Sequence, residues 1–116
     1  MSASVELERR DSVGIARLSG DVDITQAASL RQQLLNAVRN DDLGLVVDLT
    51  HTRYLDSVGV SLLFELAERL AGRQLRFGVV VPEEGLIQRV LAIVNLDSVA
   101  EVHRGVDDAL AALRGA

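Results

Sequence analysis

The chain has no cysteine. Disulfides, thiol catalysis and cysteine-ligated zinc are therefore excluded. Histidine occurs only at His51 and His103, two isolated positions, so the pattern supplies no metal site. Aromatic side chains are limited to Tyr54, Phe64 and Phe77, too few for a base-stacking platform. No basic stripe offsets the formal net charge of −5, so nucleic acid is not expected as a partner. An acidic chain suits protein partners, basic ones among them. No run approaches the ~18–20 apolar residues of a membrane span. Residues 1–6 have neither a basic region nor an apolar stretch and do not read as a signal peptide. A cytoplasmic protein without a membrane partner is the expectation. The phosphate-cradling patterns G-x-x-x-x-G-K-[ST] and G-x-G-x-x-G are also missing, so no nucleotide site is visible and no cofactor is called for.

What is present is a core. The 116 residues suit one domain, 1–116, and 48% of them are apolar, enough to bury roughly two-thirds of the unfolded surface without a staple. Alternation over residues 4–9, with Val5 and Leu7 on one face, predicts an edge strand. Asp11-Ser12 is a turn, and residues 13–18 form the hairpin partner, with Val13 and Ile15 inward. Gly20 to Asp23 breaks that pattern. Thr25 caps a helix over about 25–39, where Ala27, Leu30, Leu34 and Val38 recur at spacings of three and four. Residues 43–49 are nearly all apolar, as in a central strand buried on both faces. A second helix covers 57–71 and another apolar strand 74–81, stopped by Pro82. A third helix follows at 83–94, a short strand at 99–102 and a last helix at 106–113. The order β-β-α-β-α-β-α-β-α predicts an α/β domain with a mixed, mostly parallel sheet, an N-terminal β-hairpin and about four helices.

The most informative residue is Ser57. Asp56 is a good N-cap, because its carboxylate accepts from the free N–H groups of the first turn. Ser57 then sits in that turn, at the positive end of the helix dipole, where a phosphate is tolerated. At about 100° per residue, Gly59, Leu62, Leu63, Leu66 and Leu70 gather as a core stripe. Ser57, Ser61, Phe64 and Glu68 gather opposite, with Val60 flanking. On this projection Phe64 points away from the core and serves as an anchor on a docking face. The bland alternative is that another part of the chain covers it.

The tetrapeptide Asp56-Ser57-Val58-Gly59 resembles the D-S-[ST]-G-like motif of the STAS family, the bacterial anti-sigma factor antagonists. Leu18-Ser19-Gly20-Asp21-Val22-Asp23 is similar to the family's L-x-G-x-[LIV]-D segment. Val79-Val80-Val81-Pro82, Val90-Leu91 and Asn95-Leu96 resemble its later strand and third helix. The resemblance covers nearly the whole chain without insertions. It implies a STAS-like fold and a phosphoacceptor at Ser57. It also implies a partner that is both anti-sigma factor and serine-protein kinase, and a serine phosphatase that resets the switch. The unphosphorylated form would hold the kinase and free a sigma factor. The expected partner-binding residues are Asp23, Asp56, Ser57, Val58, Gly59, Val60, Ser61 and Phe64. Asp23, at the strand-to-helix junction, also has the plainer reading of a turn or cap residue, and Asp21 is a weaker candidate. The departure is Val58, where many members carry a second Ser or Thr. It removes a neighbouring acceptor and bears on partner choice.

An enzyme reading would make Ser57 a nucleophile with His51 or His103 as base. No G-x-S-x-G elbow and no His–carboxylate spacing supports it, so the expectation is a protein that is not an enzyme. A second alternative is a STAS interaction module of a stress-signalling scaffold or a transporter complex. The carboxylate pairs Asp41-Asp42, Glu83-Glu84 and Asp107-Asp108 read as capping or solvated positions.

Overall fold

The computed structural model describes residues 3–115. The elements run β1 (Ser4–Arg10), β2 (Val13–Val22), α1 (Ile24–Asn36), β3 (Gly44–Leu55), α2 (Ser57–Gly72), β4 (Arg76–Val80), α3 (Leu86–Ile93), a 3-10 turn (Leu96–Ser98), β5 (Glu101–His103) and α4 (Val106–Leu113). The expected order is observed. The five strands lie in sequence order, β1-β2-β3-β4-β5. β1 pairs antiparallel with β2, and the other pairs are parallel. The hairpin turn is Asp11-Ser12, both at positive φ (50° and 66°). That is the primed turn geometry that matches strand twist, and short polar side chains tolerate it.

Sequential strand order has a simple consequence. Right-handed crossovers that always advance in one direction place every connecting helix on the same face. Leu30 and Leu34 of α1, Leu62, Leu63, Leu66 and Leu70 of α2, and Ile87 and Leu91 of α3 accordingly share one apolar cluster with Ala16, Leu18, Leu45, Val47 and Val79 of the sheet. α4 follows the last strand and covers the opposite face, where Ala109, Leu110 and Leu113 meet Val13, Ile15, Val46 and Val80. β3 is buried on both faces from Gly44 to Leu49, as a central parallel strand should be.

Several expected boundaries move. β2 does not break at Gly20 but runs to Val22, and β3 runs past Leu49 to Leu55. The two stay paired because the ladder shifts register twice, between Arg17 and Ser19 and between Gly20 and Asp21. Each shift inserts a residue on the β3 side, as a bulge does. Gly20 (φ 85°) adopts a conformation that most residues avoid. The buried Thr52 hydroxyl donates to the Leu18 carbonyl across the first shift, at 2.9 Å. β4 ends at Val80, opposite Asp48, so the ends of β2 and β3 project beyond the sheet as a two-stranded arm. α1 stops at Asn36, β4 is confined to Arg76–Val80, and β5 is Glu101–His103. α3 begins at Leu86 because Glu83 and Glu84 sit in an exposed loop ending at Gly85 (φ 115°). Of Val5 and Leu7, expected on one face of the edge strand, Val5 packs against the core and Leu7 is 52% exposed.

Toward β1, the sheet face that carries α4 is covered by ions instead of a helix. Glu8 accepts from Arg10 Nε at 2.5 Å and from Arg17 Nη1 at 2.6 Å, and Arg17 Nε stands 3.9 Å from the buried Asp48 carboxylate. Hydrogen bonds from Arg10 and then Arg17 hold the Glu8 carboxyl down to about 2, from an ordinary 4.5. A depressed folded-state pKa gives stability that is complete above the unfolded value and is lost as pH falls toward the folded one. Glu8→Gln should therefore melt below the wild type at pH 7, with the gap closing between pH 4.5 and about 2. Thermal melts across that range check this; a gap that does not change with pH would contradict it.

Candidate functional site at the start of the second helix

Two helix N-termini meet at the tip of the arm. Asp56 caps α2, its Oδ1 accepting from the Gly59 N–H at 2.9 Å. Its own N–H donates to the Val22 carbonyl at 3.2 Å, at the end of β2. The next residue, Asp23, caps α1, with Oδ1 accepting from the Thr25 N–H at 2.9 Å and the Thr25 hydroxyl at 2.6 Å. The cap of α1 is thus Asp23, not Thr25: the aspartate is the residue in extended backbone, and the threonine is its donor. These two bonds, from the Thr25 hydroxyl first and then its N–H, hold the Asp23 carboxyl below the usual carboxylate range. One residue, Val22, joins both caps.

Gly59 makes this closeness possible. A Cβ there would lie 2.7 Å from Leu55 Cδ1 and 3.1 Å from the Val22 carbonyl oxygen, tighter than packing allows. A side chain there would have to move the Leu55 tip and press on the Val22 backbone. Gly59 is consequently buried, and its contribution to a partner surface is the position it gives its neighbours.

Ser57 is the first residue of α2 and is exposed. Its hydroxyl has no hydrogen-bond partner among the described residues. The N–H groups of Ser57 and Val58 belong to the first turn, where no intrahelical acceptor exists. Ser61, a turn further on, is exposed, and Val58 is half-buried. The structure thus gathers Asp23, Asp56, Ser57, Val58 and Ser61 at one end.

The expectation for Phe64 needs correcting. Phe64 and Val60 are half-buried and pack against the main core cluster. A helical projection treats each side chain as a point. An aromatic ring spans enough space to fold back from the flank onto neighbouring apolar groups. The exposed large apolar side chains at this end belong elsewhere: Ile24, first in α1, is 69% exposed, Tyr54 on the arm 47%, and Leu86, first in α3, 54%. Sequence reasoning passes over them, because only tertiary structure shows their exposure.

The histidines lie apart from one another. His51 pairs with Ser19 on the arm, and His103 lies on β5 opposite Val80. The buried His103 Nε2 has no hydrogen-bond partner among the described residues and stands 3.9 Å from Glu101. No group of three or more His, Asp or Glu that could hold a metal ion is present among the described residues. No helix among them is long and apolar enough to cross a membrane.

The STAS domain profile matches residues 4–109. With a mixed sheet carrying three helices on one face and α4 on the other, and a serine held at the start of α2, the chain belongs to the STAS domain family, among its anti-sigma factor antagonists. It is similar to the anti-sigma-F factor antagonist RsfB of Mycobacterium tuberculosis, 28% identical over 114 residues, covering 98% of this chain and 92% of that one. An anti-sigma factor antagonist from Mycobacterium paratuberculosis superposes with a TM-score of 0.87 at 31% identity, over 97% of this chain and 95% of that one. The fold also matches unphosphorylated SpoIIAA, with a TM-score of 0.73 at 18% identity, over 97% of this chain and 100% of that one.

Truncating a half-buried Phe should cost roughly half of the 3–5 kcal/mol typical of a buried one, about 1.5–2.5 kcal/mol. Phe64→Ala should accordingly lower the melting temperature by roughly 5–10 °C, measured by circular dichroism. An unchanged melting temperature would put the ring outside the core.

Proposed function

We propose that this protein is an anti-sigma factor antagonist switched by phosphorylation of Ser57. The unphosphorylated form binds an anti-sigma factor that is also a serine-protein kinase, and a sigma factor is released. Phosphorylation ends the binding, and a serine phosphatase restores it. The supporting observation is the exposed Ser57 hydroxyl, fastened at the start of α2 between two aspartate caps. A family of regulatory binding proteins gives that position its meaning.

The electrostatics supply a mechanism without refolding. A phosphoryl group adds about −1.5 to −2 charges at pH 7. The first-turn N–H groups of Ser57 and Val58 and the helix dipole accommodate it locally. The same rim already carries the Asp23 and Asp56 carboxylates. A partner surface that fits the serine form would have to desolvate the added charge beside them, and like-charge juxtaposition at an interface costs several kcal/mol. Binding is lost while the domain stays folded. The docking face comprises Asp23, Asp56, Ser57, Val58 and Ser61. Gly59, Val60 and Phe64 support it from within.

The test is phosphate transfer from the serine-kinase anti-sigma factors of the source organism, with the modified residue located by mass spectrometry. Wild type should take up one phosphate at Ser57 and Ser57→Ala none. Ser57→Asp should bind the unphosphorylated form's partner at least about tenfold more weakly, a change of 1.4 kcal/mol or more. Stoichiometric transfer to Ser57→Ala, or undiminished binding by Ser57→Asp, would contradict the assignment.

A further inference from the structure

The groove between α1 and α2 ends in an apolar pair beside Ser57, and the two helices fix its geometry. Both follow strands that run in the same direction, so they lie parallel on one face of the sheet. Arg31 Nε of α1 stands 3.3 Å from Glu65 Oε1 of α2. That ion pair marks the stripe on each helix that faces the groove. Two helical turns earlier (i−7), the same stripes carry Ile24 on α1 and Val58 on α2. The pair therefore lies on the facing stripes in the first turns of both helices, at the mouth of the groove. Val58 directly follows Ser57, and Ile24 directly follows the capping Asp23.

Ile24 is 69% exposed, and Val58 is half-buried. A β-branched residue in the first turn of a helix gains nothing from helix propensity, and this one gains little from burial within the domain. Position 58 is also where the family motif commonly carries a hydroxyl, and here it carries a second β-branched apolar side chain.

We infer that Ile24 and Val58 form a two-residue apolar knob that selects the partner, seating in an apolar socket with a cationic rim on the anti-sigma factor. This rests on the reading that the Ser57 end is the docking face. The knob is continuous with that face, because Val22 ties both of its helix starts together. The rim charge follows from complementarity: the Asp23 and Asp56 carboxylates flank the knob, and opposite charge around a desolvated apolar centre is the usual anatomy of a specific interface. A partner that matched a hydroxyl at position 58 would bury a polar group against this valine without a hydrogen bond, and would be rejected.

The experiment measures binding of Ile24→Ser, Val58→Thr and Ile93→Ser to the source organism's serine-kinase anti-sigma factors, without a phosphate donor. Val58→Thr is close to isosteric and replaces a methyl with a hydroxyl. Ile93, at 82% exposure, is the last residue of α3, outside the proposed docking face, and controls for general loss of apolar surface. Melting temperatures confirm that the variants fold. Ile24→Ser should weaken binding about tenfold or more and Val58→Thr several-fold, with a non-additive double variant, because one socket covers both. Ile93→Ser should bind within twofold of wild type. If either Ile24→Ser or Val58→Thr also binds within twofold while Ser57→Asp fails to bind, the knob is wrong and the docking face stands. If the wild type binds none of these proteins, both are wrong.

Discussion

The arrangement depends on one backbone contact, the hydrogen bond from the Asp56 N–H to the Val22 carbonyl. It closes the tip of the β2–β3 arm, brings α2 against β2, and sets Asp56 where its carboxylate reaches the Gly59 N–H. The approach is close: a Cβ at position 59 would displace the tip of Leu55 and press on the Val22 carbonyl oxygen at 3.1 Å. Ser57 is therefore held by a cap behind it, a glycine beneath it and a strand end beside it, with its own side chain left unengaged. A modification there meets a rigid mount and open solvent.

The sheet order explains why one small domain can carry a rigid core and an exposed serine on a fixed mount together. Helices α1, α2 and α3 lie on one face and start at the same edge. α2 serves both purposes at different depths. Leu62, Leu63, Leu66 and Leu70 fill the core, and its first turn presents Ser57 and Val58. A change at the first turn has little leverage on residues buried several turns away, so charge can be added without disturbing the packing that positions it.

The parts of this arrangement legible in the sequence are those governed by local chemistry. Aspartate before a serine and an apolar-periodic run announces the α2 cap, and the leucine stripe of α2 follows from helical spacing alone. Element order follows from alternating periodicities. Parts decided by tertiary context are not legible. Gly20 looks like a strand breaker, yet the β2–β3 ladder absorbs it through two register shifts. Thr25 looks like the α1 cap, but Asp23 takes that role because the strand runs on to Val22 and delivers the aspartate to the junction. Phe64 looks exposed in projection, but its ring reaches the core. Ile24 looks like an ordinary apolar helix residue until the fold shows it 69% exposed.

If Ser57 is switched on a rigid mount, phosphorylation must change charge at one end of the domain and nothing else. The most direct measurement is the two-dimensional amide NMR spectrum of labelled protein before and after stoichiometric phosphorylation. Shifts should be confined to the first turns of α1 and α2 and to the end of the β2–β3 arm, with the resonances of β4, β5 and α4 unmoved. Shifts spread through the sheet, or a loss of dispersion, would show that phosphate acts by refolding the domain and would contradict the account.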